Sequence, residues 1–189
     1  PQTATINGAY LGKLVFSLNK DWTFGSKKFV EGSVILASPE VLRAGTGDVE
    51  LVAAPTATEI VYDVAVSDSG ILILMLDQVR GRLYRFELGP NGWNRRPIPF
   101  PENGAITIPH DLDASGDFFA EYQSFTIPPT LYYVPSKSLK PEVIKMQKPT
   151  FDEHQFEVNQ YWAISADGTK VPYFVVMKKG TVLDGKNPT

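Results

Sequence analysis

Two stretches of this chain repeat each other at a spacing of about 46–48 residues, and that spacing constrains the fold more than any other feature. Asp68-Ser69-Gly70 precedes one apolar run, and Asp113-Ala114-Ser115-Gly116 precedes another. Leu83-Tyr84-Arg85-Phe86 and Leu131-Tyr132-Tyr133-Val134 keep the same step, each following its glycine by about 13–15 residues, where the next strand of an antiparallel sheet falls. A period of this length filled with short strands is that of a four-stranded propeller blade. One blade cannot cover both of its faces and must stack on neighbours; residues 10–150 hold only about three, whereas propellers close with roughly 4–8. The expected fold is therefore all-β: a partial β-propeller of about three four-stranded antiparallel blades, whose end faces need further blades or other copies of the chain to cover them.

The strands are legible because 15 Gly and 15 Pro punctuate runs rich in Val, Ile, Leu, Tyr and Phe. The pattern predicts strands at Lys13–Leu18, Phe29–Ala37, Glu50–Ala53, Ile60–Val66, Ile71–Leu76, Arg82–Leu88, Ala105–Ile108, Phe118–Tyr122, Thr130–Val134, Glu142–Lys145, Gln155–Ile164 and Val171–Met177. No window sustains an i, i+3, i+4, i+7 apolar stripe; Asp152–Gln160 comes nearest, so little helix is expected. Around Lys148–Asp152 the repeat stops. Two strands follow, joined through Ser165-Ala166-Asp167-Gly168-Thr169, and Asp-Gly between apolar runs is a strong hairpin signal. This places a boundary near residue 150, dividing the chain into residues 1–150 and 151–189, the second part too short to fold alone.

Composition removes several functions. Lys and Arg total 18 against 21 Asp and Glu, a net charge of −3 with no basic block, which offers no footprint for nucleic acid. The absence of Cys excludes disulfides, thiolate metal sites and thiol nucleophiles. The most apolar run, Ile71–Leu76, is far shorter than the roughly 18–20 residues of a membrane helix, so no membrane partner is expected. The chain opens Pro1-Gln2-Thr3 without a charged and then apolar leader, so no secretory signal is expected and the chain reads as a piece of something longer. A soluble protein of cytoplasm or periplasm fits, with the compartment undecided.

Screening for chemistry finds no strong site. No glycine has a serine two positions later, so the Gly-x-Ser-x-Gly elbow of α/β-hydrolases is missing. His110 and His154 are each compatible with a general base or with a turn or surface residue. The run from Gly180 to Asn187 approaches a phosphate-binding loop, but Asn187 replaces the Mg²⁺-binding hydroxyl and Pro188 follows where a helix should run. Asp111-Leu112-Asp113-Ala114-Ser115-Gly116 resembles half a calcium loop, yet Tyr122 stands where a bidentate Glu is needed, and a tight turn is the simpler reading. Trp22, Trp93 and Trp162 with Tyr122, Tyr132 and Tyr133 form either a stacking platform for sugar or peptide, or inter-blade core. Arg80, Arg82, Arg85, Arg95 and Arg96 form either an anion site or solvated strand edges, with Arg80 and Arg82 on one face. No catalytic, cofactor-binding or metal-binding position is assigned, and no cofactor is expected.

One resemblance goes further. The text from Phe156 through Tyr161-Trp162-Ala163-Ile164-Ser165-Ala166-Asp167-Gly168-Thr169-Lys170-Val171-Pro172 to Gly180, then Leu183-Asp184-Gly185-Lys186-Asn187-Pro188-Thr189, resembles the prolyl oligopeptidase family. Upstream, Lys20-Asp21-Trp22, Gly32-Ser33-Val34 and the run from Tyr122 to Tyr132 resemble that family's late propeller blades. The resemblance implies a serine peptidase cleaving short peptides after proline, in which a seven-bladed propeller caps the active site and keeps folded proteins out. It implies that residues 1–150 are gating blades and that residues 151–189 lead into an α/β-hydrolase domain. It also implies that the oxyanion-stabilising Tyr, the Ser, the acid and the His lie after Thr189, so this chain alone should not hydrolyse a peptide bond. Its implied partners are the remaining blades, the catalytic domain, short proline-containing peptides and, through uncovered blade faces, other copies of itself. The alternative is a stand-alone, non-catalytic β-rich binding module.

Overall fold

In each of the first three sheets the strands lie side by side in chain order, as short connections and right-twisting ribbons favour, with one inserted ribbon in the first. The structure is a computed structural model and describes residues 3–110, 112 and 115–187. Sheet one contains β1 (Ala4–Tyr10) and β2 (Lys13–Leu18), then, after a small ribbon of β3 (Trp22–Phe24) and β4 (Lys27–Phe29), β5 (Val34–Ala37). The short helix α1 (Pro39–Ala44) precedes its last strand, β6 (Glu50–Ala53). Sheet two is the meander β7 (Glu59–Ser67), β8 (Gly70–Asp77), β9 (Arg80–Gly89) and β10 (Gly92–Ile98). Sheet three is β11 (Gly104–Thr107), β12 (Phe118–Ser124), β13 (Thr130–Val134) and β14 (Glu142–Met146). A separate two-stranded sheet follows, β15 (Phe156–Ile164) with β16 (Lys170–Lys178).

The three four-stranded sheets are the expected blades, and the two halves of the repeat fall on equivalent strands. Gly70 opens the second strand of sheet two and Gly116 stands just before the second strand of sheet three. Leu83–Phe86 and Leu131–Val134 lie on the third strands.

Side-chain alternation shows how the sheets stack. Along β8, Ile71, Ile73 and Met75 join a core with Val15, Val34 and Leu36 of sheet one. The intervening Leu72 and Leu74 join a second core with Ile106, Phe118, Tyr122 and Val134 of sheet three. Burial on both faces is why Ile71–Leu76 is the most apolar run of the chain. In β12 the pattern is instead strictly alternate, with Phe118, Ala120 and Tyr122 inside and Phe119, Glu121 and Gln123 outside, so sheet three keeps one open face. Sheet one does not. Its outer residues Phe16, Leu18, Ile35 and Ala37 are buried under Trp22, Phe24 and Phe29 of the β3–β4 ribbon and Val41 and Leu42 of α1.

Several details depart from the pattern reading. The single strand expected at Phe29–Ala37 is broken, since the Ser33 N–H donates to the Val30 carbonyl at 3.1 Å and Gly32 turns back to the Leu18 carbonyl at 2.8 Å. Helix α1 was too short to leave a periodic stripe; it is set by local chemistry, with Ser38 capping the Val41 N–H at 3.2 Å and Pro in its first turn. Strands β1, β3 and β10 were not expected. In β10, Gly92, two arginines and Pro97 read as loop, and the outermost position of the sheet tolerates them.

The expected Asp-Gly hairpin joins β15 to β16. The Asp167 carboxylate accepts from the Ser165 hydroxyl and, at 3.0 Å, from the Thr169 N–H, which lowers its pKa from 3.8 to about 2. A carboxyl with a depressed folded value stabilises the turn fully above its free-chain value and loses that effect as pH falls through the folded one. Amide exchange at Gly168 and Thr169 is therefore expected to accelerate as pH drops from 3.8 through about 2, relative to Asp167→Asn, in which this pH dependence disappears. An Asp167 side-chain titration midpoint near 3.8, read by NMR, would refute the contact.

Candidate functional site

A cleft of about 630 Å³ opens where the ends of sheets two and three meet Phe174 of the β15–β16 hairpin. Its walls are largely apolar, with Leu74, Leu76 and Val79 from sheet two, Ile106 from sheet three, Phe125 after β12 and Phe174 of β16. Volume and lining fall in the range of small-molecule and peptide side-chain sites.

Local sequence explains the geometry. A bulge between Val61 and Asp63 interrupts the β7–β8 register and turns Tyr62 outward at 66% exposure, with Asp63 beside it at the cleft. The Asp63 carboxylate accepts from the Val64 N–H at 2.8 Å and lies 3.3 Å from His110 Nε2. The β8–β9 connection is a two-residue turn, Gln78-Val79, with φ of 50° and 66°. Left-handed φ at both positions suits such hairpins, but a β-branched residue there is strained. Across the cleft, Ser124 builds the turn that carries Phe125, its hydroxyl accepting from the Thr126 and Ile127 N–H groups at 3.3 and 3.0 Å.

A second carboxylate, next in the chain to the cleft-lining Asn103, gathers two arginines. Glu102 meets Arg82 at 2.9 Å and Arg80 at 3.4 Å, and the Arg82 hydrogen bond holds its carboxyl below the ordinary glutamate range. Arg80 also donates from Nε to Gln160 Oε1 at 2.6 Å, and Gln160 Nε2 donates to the Gln78 carbonyl at 2.8 Å. Beneath them the Tyr122 hydroxyl donates to the Glu102 carbonyl at 2.9 Å.

The arginines singled out from sequence are thus not an open anion site. Arg80 and Arg82 do share a face, as expected, but around Glu102. Arg95 pairs bidentately with Glu59 at 2.5 and 3.1 Å while lying 3.6 Å over the Tyr84 ring. Arg85 is no solvated edge at all. At 3% exposure it donates to the Ser69 carbonyl from Nε and Nη2 (3.2 and 2.8 Å) and to the Ser136 carbonyl from Nη1 (3.0 Å). It thereby staples the turn before β8 to the segment after β13.

The aromatic candidates separate in the same way. Tyr122 and Tyr132 are inter-blade core, Trp93 packs on Tyr10, and Trp22 packs on Phe24 and Phe29. Tyr133 donates to Asp117 at 2.5 Å, and Trp162, at 40% exposure, lies beside a second cleft of about 580 Å³ shared with Thr58 and Gln78. His154 sits in a 3-10 turn, its N–H donating to Asp152 at 3.1 Å. The phosphate-loop look-alike is a string of turns, with Asn187 Nδ2 donating to the Val182 carbonyl at 2.7 Å. Asp111, Asp113 and Ala114 of the calcium-loop look-alike lie outside the described residues. Among the described residues no three His, Asp or Glu side chains stand together as a metal site, and none of the described helices is long and apolar enough to cross a membrane.

Sequence reasoning missed Gln78, Glu102, Gln160 and Phe174. A turn between two apolar runs that lacks Gly or Asn, Asp77-Gln78-Val79-Arg80, is the one local sign that something special sits there.

With this geometry in place, the chain compares closely with peptidases. No protein-family model matches it. Over its whole length it is 30% identical to an uncharacterized peptidase of Sinorhizobium fredii, of which it covers 26%. It is 36% identical over 94 residues, half of this chain, to a prolyl endopeptidase of Elizabethkingia miricola, of which that stretch is 13%. Among solved structures, a post-proline cleaving enzyme from Rickettsia typhi superposes with a TM-score of 0.78 over 98% of this chain and 27% of its own, at 24% identity, so the fold is shared. The chain spans about a quarter of the length of the full-length relatives it matches.

Proposed function

Since this chain belongs to the prolyl oligopeptidase family, we propose that residues 1–150 are part of the propeller that gates a serine peptidase and that residues 151–189 begin its α/β-hydrolase domain. The observation that carries the reading is the order of parts: three stacked four-stranded sheets, then a separate two-stranded hairpin with an Asp-Gly turn. In this reading the longer protein hydrolyses short peptides after proline, and the blades decide which chains reach the catalytic groups. The blades act by exclusion, because a stacked sheet with buried, interlocked faces does not yield to a folded substrate.

Two features support a segment that has neighbours. The open face of sheet three exposes Phe119 at 52% and Leu131 at 37%, and β14 is exposed along its length, with Val143, Ile144 and Met146 presented to solvent. Such surface is covered in a larger assembly or drives association. The alternative, a non-catalytic β-rich binding module, draws its support from the 630 Å³ cleft.

The test compares the full-length protein with residues 1–189 on a chromogenic peptide carrying an internal proline. Cleavage after proline by the full-length protein only, with self-association of the 1–189 segment in light scattering, is the expected result. A full-length protein that binds such peptides without cleaving them would establish the binding module instead.

A further inference from the structure

The hairpin and the blades meet in an economical way. Strands β15 and β16 pair only with each other, and none of their residues is buried, so the hairpin is held by its own ladder rather than by a core. Gln160 and Phe174 are direct partners on that ladder, which puts both side chains on one face at one rung. From this rung the Gln160 amide reaches sheet two, accepting from Arg80 Nε at 2.6 Å and donating to the Gln78 carbonyl at 2.8 Å. From the same rung the Phe174 ring reaches the turn after β12, its centroid 5.4 Å from that of Phe125.

One rung thus touches two blades, with its Phe174 in the wall of the 630 Å³ cleft, and the second cleft, of about 580 Å³, is lined by Trp162 and Pro172 of the same hairpin. The sheet-two side of the contact is built at a cost. Val79 holds φ of 66° in the turn that aims the Gln78 carbonyl and Arg80 at the same amide. Both hydrogen-bonding faces of a single amide are used, one of them by a cation that Glu102 also holds.

We propose that the Gln160–Phe174 rung is a pin that seats the hairpin across sheets two and three, and that releasing Gln160 lifts the hairpin and opens the cleft beneath it. The pin is a property of this chain's own contacts and stands independently of what the longer protein hydrolyses. Its opening is sub-global: a unit with no fully buried residue, joined to the blades through Gln160 and Phe174, detaches at far lower free energy than strands such as β8 and β12.

The test uses two readouts on the full chain. In hydrogen–deuterium exchange, Gln160→Ala is expected to accelerate the β15 and β16 amides about tenfold while leaving β8 and β12 unchanged. Gln160→Glu keeps the acceptor for Arg80 but cannot donate to the Gln78 carbonyl at neutral pH, and is expected to give a smaller increase, about threefold. Asn159→Ala, on the other face of the strand, should change nothing. Because the chain contains no cysteine, Leu76→Cys places a lone thiol in the cleft wall, and its labelling rate should rise about tenfold when Gln160→Ala is added. Exchange within twofold of the parent, equal acceleration in β8 and β12, or a hairpin that exchanges faster while the thiol labels no faster would each overturn the pin.

Discussion

Gly104→Ala is expected to destabilise the protein by about 3 kcal/mol, at the upper end of what overpacking a core costs. Gly104 opens β11, and a Cβ built there falls well under 3.0 Å from the Cε2, Cζ and hydroxyl oxygen of Tyr122. The ring has nowhere to go. Tyr122 is fully buried, stacked on Phe100 with centroids 6.2 Å apart and planes at 16°, and met edge-on by Tyr132 at 6.3 Å. Its hydroxyl is committed to the Glu102 carbonyl at 2.9 Å, and surrendering that bond adds about 1 kcal/mol. Denaturant unfolding measures the loss. A cycle with Tyr122→Leu isolates its cause, since removing the ring should make the added methyl cheaper by about 1 kcal/mol or more. Gly104→Ala unfolding within about 0.5 kcal/mol of the parent would show that β11 does not lie against the ring as described.

Arg85→Met should cost about 3 kcal/mol for a different reason. Packing volume is nearly kept, but the Ser69 and Ser136 carbonyls lose a charged donor, and Glu87, 3.1 Å from Arg85 Nε, is left with Arg96 alone at 3.4 Å. Burial pushes the Arg85 guanidinium below its ordinary value and the nearby Glu87 pulls it back up. One of the two places it joins is the first repeated turn, Asp68-Ser69-Gly70, and Gly116 of the second repeat packs beside it. Gly116 has φ of 72°, and a Cβ on it would collide with the Ser69 side chain and approach Arg85 Nη2 to 2.9 Å. Arg85→Lys should recover little, because a single ammonium cannot reach two turns in the fixed directions of a guanidinium fork. Unfolding of Arg85→Met within 1 kcal/mol of the parent would mean that the blades are held by apolar contact alone.

The repeat was readable because glycine is demanded at both turns, at Gly70 by the close approach of the Phe86 carbonyl and Arg85, and at Gly116 by a left-handed φ of 72° and the Ser69 side chain. The blade faces were readable for the same local reason. β8 is apolar from Ile71 to Leu76 because neighbours lie on both sides, whereas β12 alternates because one side is open. Strands β1 and β10 were not readable, since their bulges, arginines and glycines are tolerated only at the edges of their sheets. The ribbon and helix over sheet one were equally hidden, because what makes them a cover is the buried row of Phe16, Leu18 and Ile35 beneath them.

The arginines show where local reading stops. Spacing correctly put Arg80 and Arg82 on one face, but gave no sign that Glu102 lies between them or that Arg85 is buried. Gln160 carries no signal at all, since its partners stand about 80 residues away in the chain. By itself, the sequence determined the blade period and the Asp-Gly hairpin, both consequences of short-range periodicity and turn chemistry. The tertiary structure alone decided the cleft, the Arg85 staple and the Gln160 pin. Each depends on residues far apart in the chain being brought together by the stacking of the sheets and the seating of the hairpin, and no one-dimensional pattern encodes that meeting.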